Sequence, residues 1–191
     1  MTWQPGEPLT LETARFIVRS TTIYDVTEAM VAWMADPEVM ITLNSPGREM
    51  TVAQLKRQVK RYDNKRGFHL TVFDRASHEA IGFYTVNCKP WHRTAETAVV
   101  IGNRDYWGRN VVIETRSAIL DFLFDTMELH KVTGLPFARN FPSVFNYKAL
   151  GFRCEGVFRE HLRSVEGGRL DQCLFGLLRD EWHTHRETLR R

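Results

Sequence analysis

Between Phe68 and Gly102 the chain holds three runs dominated by β-branched and aromatic residues, FHLTVFD, AIGFYTVNC and TAETAVVIG, divided by short polar turns. That spacing predicts three strands of an antiparallel meander. In ARFIVRS, Phe16 and Val18 alternate with Arg15 and Arg19, which predicts an earlier strand with one apolar face. Asp25 is placed to cap a helix running to about Asp36, stopped by Pro37. Thr51 followed by Gln54 has the spacing of a reciprocal cap, and a helix from there to about Arg66 turns Val52, Leu55 and Val59 inward.

Over residues 110–129 the apolar positions Val112, Ile119, Leu120, Leu123, Phe124 and Met127 share one helical face, with Glu114, Ser117, Asp121, Asp125 and Glu128 opposite. The pattern predicts an amphipathic helix of about five turns. KVTGLPFA predicts a short strand, and NFPSVFNYKALGF a helix started by Pro142 and ended by Gly151. Two last strands, residues 154–163 and 170–178, flank the turn Glu166-Gly167-Gly168. The charged segment 179–191 predicts a fraying tail. Together these elements give an α+β class: one mixed, mostly antiparallel sheet of about seven strands flanked by about four helices. A single domain over residues 1–191 is expected, with its core at about 9–180 and the charged tail at 181–191.

Composition narrows the class without changing it. With 43% hydrophobic and 26% charged residues, the chain matches a globular protein and excludes disordered and fibrous classes. It lacks a window of eighteen apolar residues and a basic, apolar leader, so a cytoplasmic location without membrane is expected. Cys88, Cys154 and Cys173 are odd in number, show no CxxC pairing and offer no metal framework, and His183-Thr184-His185 adds none. A net charge of +3 from interspersed residues does not point to nucleic acid. The basic cluster Lys56, Arg57, Lys60, Arg61, Lys65 and Arg66 has the spacing of a solvated helix face.

Candidate chemistry concentrates at DYWGRNVVIE. A strand, a turn with Gly108 and a helix start form a natural anion site, because the first helical amides are unpaired and glycine allows close approach. Arg109 adds a cation. The turn matches neither GxxxxGK[ST] nor GxGxxG, and on spacing alone an ordinary helix entry fits it as well.

The order LETARFIVRS, DPEV, AIGFYTV, AETAVVI, DYWGRN, RNFPSVFNYKALGF, CEGVFRE and LDQCLFGLLRDEW resembles the GCN5-related N-acetyltransferases. Within them it resembles the branch of ribosomal-protein N-terminal acetyltransferases, the RimJ/RimL-like proteins. The resemblance implies an acetyl-CoA-dependent enzyme that acetylates a primary amine by direct attack in a ternary complex, without a metal. The acceptor would be a protein N-terminal amine or a small-molecule amine, and a homodimer is compatible with it. The alternative is a non-catalytic acetyl-CoA-binding or interaction module on the same fold.

Carried over by position, the resemblance assigns the backbone amides of Trp107, Gly108, Arg109, Asn110 and Val111 to the pyrophosphate, although Asn110 stands where the family has a second small residue. Val99, Val100 and Ile101 would offer backbone groups to the pantetheine arm and the oxyanion, and Asn140 and Ser143 match an N-x-x-S that meets the pantetheine. Asn140 fits a helix cap equally well. Tyr147 falls where many members have the tyrosine that protonates the departing thiolate. Glu96 would accept the amine proton through water, with His69, His92 and His161 in reserve. Trp91 and His92, in the loop before TAETAVVI, are expected beside the acceptor.

Overall fold

The computed structural model describes residues 3–189; Met1, Thr2, Arg190 and Arg191 lie outside them. The hairpin of β1 (Thr10–Glu12) and β2 (Phe16–Ser20) leads into an antiparallel succession of β3 (Gly67–Asp74), β4 (Ala80–Lys89) and β5 (Thr94–Ile101). β5 pairs in parallel with β6 (Lys131–Gly134), and the hairpin of β7 (Arg153–Arg163) and β8 (Arg169–Leu178) completes the sheet through β8. Among the described residues the strand order is β1-β2-β3-β4-β5-β6-β8-β7, eight strands in one sheet.

Helices cover both faces. α1 (Glu28–Ala35), α2 (Pro37–Ile41) and α3 (Val52–Val59) bury Met30, Trp33, Val39, Leu55 and Val59 against Phe83 and Val100. On the other face, α4 (Val111–Asp121), α5 (Phe141–Ala149) and α6 (Arg179–Leu189) bury Ile119, Leu120, Tyr147 and Trp182 in the larger core with Phe68, Leu70, Tyr84 and Phe175. The alternation of β5 divides the two faces: Ala95, Val99 and Ile101 pack toward α4, and Val100 packs toward α1 and α3.

Several local expectations are corrected. Thr27, not Asp25, caps α1, because the Asp25 carboxylate is held by Arg19 at 2.6 and 2.8 Å and by the Thr22 amide at 2.7 Å. The Thr51–Gln54 capping box forms, but α3 stops at Val59. Beyond it the Asp63 carboxylate gathers the amides of Lys65, Arg66 and Gly67, a turn that competes with helix and aims the chain into β3. α4 ends at Asp121 and widens into a π-turn over Phe122–Thr126, where the Met127 amide bonds the Phe122 carbonyl.

The expected tail is instead α6. Trp182 is 1% exposed and donates to Asp121 at 2.9 Å, Arg186 reaches Asp121 and Asp125, and His185 meets the Ala149 carbonyl at 2.9 Å. One aromatic anchor and these charged contacts hold a helix whose composition reads as solvated. No helix among the described residues is long and apolar enough to cross a membrane.

Candidate active site

The site originates where the sheet opens. β5 and β6 are paired only from Thr94 to Glu96 against Lys131 to Thr133. After Gly134 the chain stays with β8: the Pro136 carbonyl accepts from the Cys173 amide, Ala138 donates to Asp171, and the Leu135 carbonyl accepts from Gln172. β5 therefore separates from its neighbour beyond Glu96, which leaves backbone groups along residues 97–101 facing a gap. A cleft of about 520 Å³ occupies the gap, lined by Glu96, Thr97, Ala98, Val99 and Ile101 on one side and by residues of α4 and α5 on the other.

Tyr147 stands at the point of divergence. Its ring is 3% exposed, stacked on Phe175 at 5.3 Å and edge-on to Phe152 at 5.0 Å. Its hydroxyl donates to the Thr97 carbonyl at 3.0 Å. Gly134 makes the approach possible, since a Cβ there would collide with the Tyr147 hydroxyl. The phenol thus occupies the place where the next ladder hydrogen bond would have been, with its proton at the edge of the cleft.

The turn before α4 carries the features of an anion cradle. Gly108 has φ 73° and nothing within 4 Å of the position of a Cβ. Asn110 also lies in the left-handed region, at φ 57° and ψ 22°, and its side chain makes no capping hydrogen bond. Asparagine thus holds the backbone angle for which a glycine would otherwise be needed. The first amides of α4 have no intrahelical acceptor, and the helix end adds partial positive charge. Trp107 anchors the turn by donating from its indole to the Ile101 carbonyl at 2.8 Å. Glu114 anchors the other side: it accepts from Thr13 at 2.7 Å and from Arg15 at 2.7 and 2.8 Å. Burial alone would push the Glu114 carboxyl up, but these hydrogen bonds outweigh it and hold the group below its ordinary value.

Of the residues singled out in the sequence, Glu96, Val99, Ile101, Trp107, Gly108, Asn110, Val111, Asn140, Ser143 and Tyr147 line one cleft. Val100 faces the α1–α3 side and Arg109 is exposed. Asn140 caps α5, accepting from the Ser143 amide at 3.1 Å, and donates to the Thr42 carbonyl at 2.6 Å, so its side chain ties α5 to the end of α2. Trp91, 92% exposed, and His92 sit on a short 3-10 turn outside the cleft lining.

His69 is buried in β3, stacked on Phe83 at 4.7 Å, and burial pushes its pKa down to about 4. His161 is exposed on β7 against Phe158. Neither lines the cleft. Cys88 and Cys173 are buried and Cys154 exposed, all as free thiols, with burial pushing Cys88 up to about 12. Sequence patterns gave no notice of Thr42, Leu43, Arg116 or Leu162, which also line the cleft. A charged residue at an inward helix position, as Arg116 is beside Val112 and Ile119, was the one available signal.

The family model of the acetyltransferase (GNAT) domain matches residues 15–153. The uncharacterized N-acetyltransferase p20 of Bacillus licheniformis is 25% identical over 181 residues, covering 91% of this chain and 98% of its own. Among solved structures, the ribosomal-protein-S5-alanine acetyltransferase from Vibrio fischeri superposes with a TM-score of 0.78 at 20% identity, over 91% of this chain and 98% of that one. The spermidine N-acetyltransferase from Vibrio cholerae, solved with CoA and spermine, superposes with a TM-score of 0.79 at 19% identity, over 88% and 98%.

Proposed function

Because the chain belongs to the GNAT acetyltransferase family, whose members use acetyl-CoA, we propose that its cleft transfers an acetyl group to a primary amine by direct attack in a ternary complex. The observation that carries the reading is the convergence on one cleft of the open edge of β5, the turn at Gly108 and the Tyr147 hydroxyl.

The residues fit the coenzyme. The open space at Gly108 and the unpaired amides at the start of α4 suit a pyrophosphate. The unpaired edge of β5 around Val99, between the Thr97 carbonyl held by Tyr147 and the Ile101 carbonyl held by Trp107, suits an amide-bearing arm laid alongside it as an added strand. When bound, acetyl-CoA supplies the thioester carbonyl that the amine attacks. A backbone amide of residues 99–101 would donate to the developing oxyanion, where preorganised dipoles act most strongly. Tyr147 would turn its hydroxyl proton from the Thr97 carbonyl to the departing sulfur, then recover one from solvent; a phenol and an alkyl thiol are of comparable acidity.

Glu96, at the last paired position of β5 and in the cleft lining, would accept the proton of the amine through water. Its carboxylate also gives a cationic amine a reason to enter. Thr42, Leu43 and Leu162 line the same cleft and are the proposed acceptor wall. The acceptor class is a peptide α-amine or a small amine. Against the alternative of a coenzyme-binding module without chemistry stands the Tyr147 hydroxyl in the cleft, and Asn110, in the left-handed region, keeps the turn's backbone angle. The direct test is amine-dependent release of free CoA thiol from acetyl-CoA across a panel of peptide and polyamine acceptors.

A further inference from the structure

Arg116, on the second turn of α4, is 1% exposed, yet among the described residues no carboxylate pairs with it. Its guanidinium lies over the rings of Tyr147, at 4.5 Å, and Tyr84, at 5.6 Å. Its Nε and Nη1 have no hydrogen-bond partner among the described residues. Neither tyrosine hydroxyl accepts from it: that of Tyr84 meets Thr115 at 2.8 Å, and that of Tyr147 bonds the Thr97 carbonyl. Buried guanidinium groups are ordinarily paired, because desolvating an unpaired charge is expensive. Thr97 contributes a second orphan, a buried Oγ1 without partner. Arg116 and Thr97 both line the cleft.

Their side of the sheet identifies what they face. Ala95, Val99 and Ile101 on β5 pack toward α4, and by strand alternation Thr97 shares that face, whereas Glu96 belongs to the opposite one with Val100. The phosphate turn also opens α4. Arg116 therefore stands on the side of the thioester donor, not of the incoming amine.

We propose that the acyl pocket takes a CoA thioester whose short acyl chain ends in a carboxylate, of the succinyl type, with Arg116 and the Thr97 hydroxyl donating to that carboxylate. The inference rests on the proposed reading of the cleft as an acyl-CoA site. The transfer step is the same: the amine nitrogen bonds the acyl carbon as the carbon–sulfur bond breaks. The amine proton leaves by way of Glu96, and the thiolate takes the Tyr147 proton. The terminal carboxylate is unchanged and stays paired with Arg116. An acetyl group has no terminal acceptor to offer the guanidinium, and polar groups left unpaired in a pocket are a strong source of discrimination.

Isothermal titration with CoA, acetyl-CoA, butyryl-CoA and succinyl-CoA tests this. The wild-type protein is expected to bind succinyl-CoA at least about tenfold more tightly than acetyl-CoA or butyryl-CoA, the last being a chain of the same length without the charge. Arg116→Met is expected to abolish the preference while retaining acetyl-CoA affinity, and Arg116→Lys to restore part of it. Equal or weaker binding of succinyl-CoA by the wild type, or a preference that survives Arg116→Met, overturns the assignment. If Arg116→Met does not fold, the wild-type ratio of succinyl-CoA to butyryl-CoA decides alone. Binding of CoA and acetyl-CoA without the preference removes only this inference; binding of none of the four removes the acyl-CoA reading with it.

Discussion

The Tyr147 hydroxyl donates to the Thr97 carbonyl at 3.0 Å across the gap where β5 leaves β6. One phenol thereby satisfies a backbone acceptor that the open sheet would strand, and holds a proton at the proposed reaction centre. Tyr147→Phe is expected to lower turnover about a hundredfold or more, the lower range of general acid catalysis. Coenzyme affinity should be unchanged, and stability should fall by about 1 kcal/mol for the stranded carbonyl. Steady-state kinetics, calorimetry and urea melts separate the three effects.

Gly108 and Asn110 both adopt positive φ, and the position of a Cβ on Gly108 is open space. Gly108→Val should therefore fold with a loss of about 1–2 kcal/mol from backbone strain and lose acetyl-CoA affinity by far more. Gly108→Asp adds a negative charge in the same space and should bind still more weakly. Asn110→Gly preserves the left-handed turn and should leave coenzyme affinity nearly unchanged. Equal affinity in folded Gly108→Val would show that the turn is structural only.

His69 titrates near 6.5 when unfolded and near 4 in its buried site, where its Nδ1 meets Thr21 at 2.7 Å and its Nε2 has no partner. Between those values the unfolded chain binds more protons. Its contribution is therefore complete above pH 6.5 and is lost as the pH falls toward 4, by about 3 kcal/mol. Urea midpoints between pH 7.5 and 4.5 should show the decline, and His69→Gln should flatten it.

The final helix is predicted to be part of the folding unit. Trp182→Ala should destabilise by about 3–5 kcal/mol, in the range of buried aromatic truncations, with a lowered urea midpoint. A loss below 1 kcal/mol would return residues 179–189 to the status of a tail.

The meander over residues 67–101, the capping box at Thr51 and the helix at Pro142 were legible in the sequence because each depends on local periodicity or capping chemistry. Elements decided by side-chain partners outside the local pattern were not. Asp25 offers a capping side chain that Arg19 claims first, and α6 reads as solvated because its anchors, Asp121 and Asp125, lie some sixty residues earlier. In the candidate site, the strand, turn and helix around Gly108 announce themselves by order. The cleft does not, since it depends on β6 following β8 after Gly134. Arg116 was hidden for the same reason: its two tyrosine neighbours come from β4 and α5.

Free thiol released from acetyl-CoA, measured with and without each amine of a panel containing peptide N-termini and spermine, tests the central claim most directly. The account predicts amine-dependent release with at least one acceptor, and a fall of about a hundredfold in Tyr147→Phe. Coenzyme binding with no amine-dependent release on any acceptor, or a Tyr147→Phe protein equal to wild type, would contradict it.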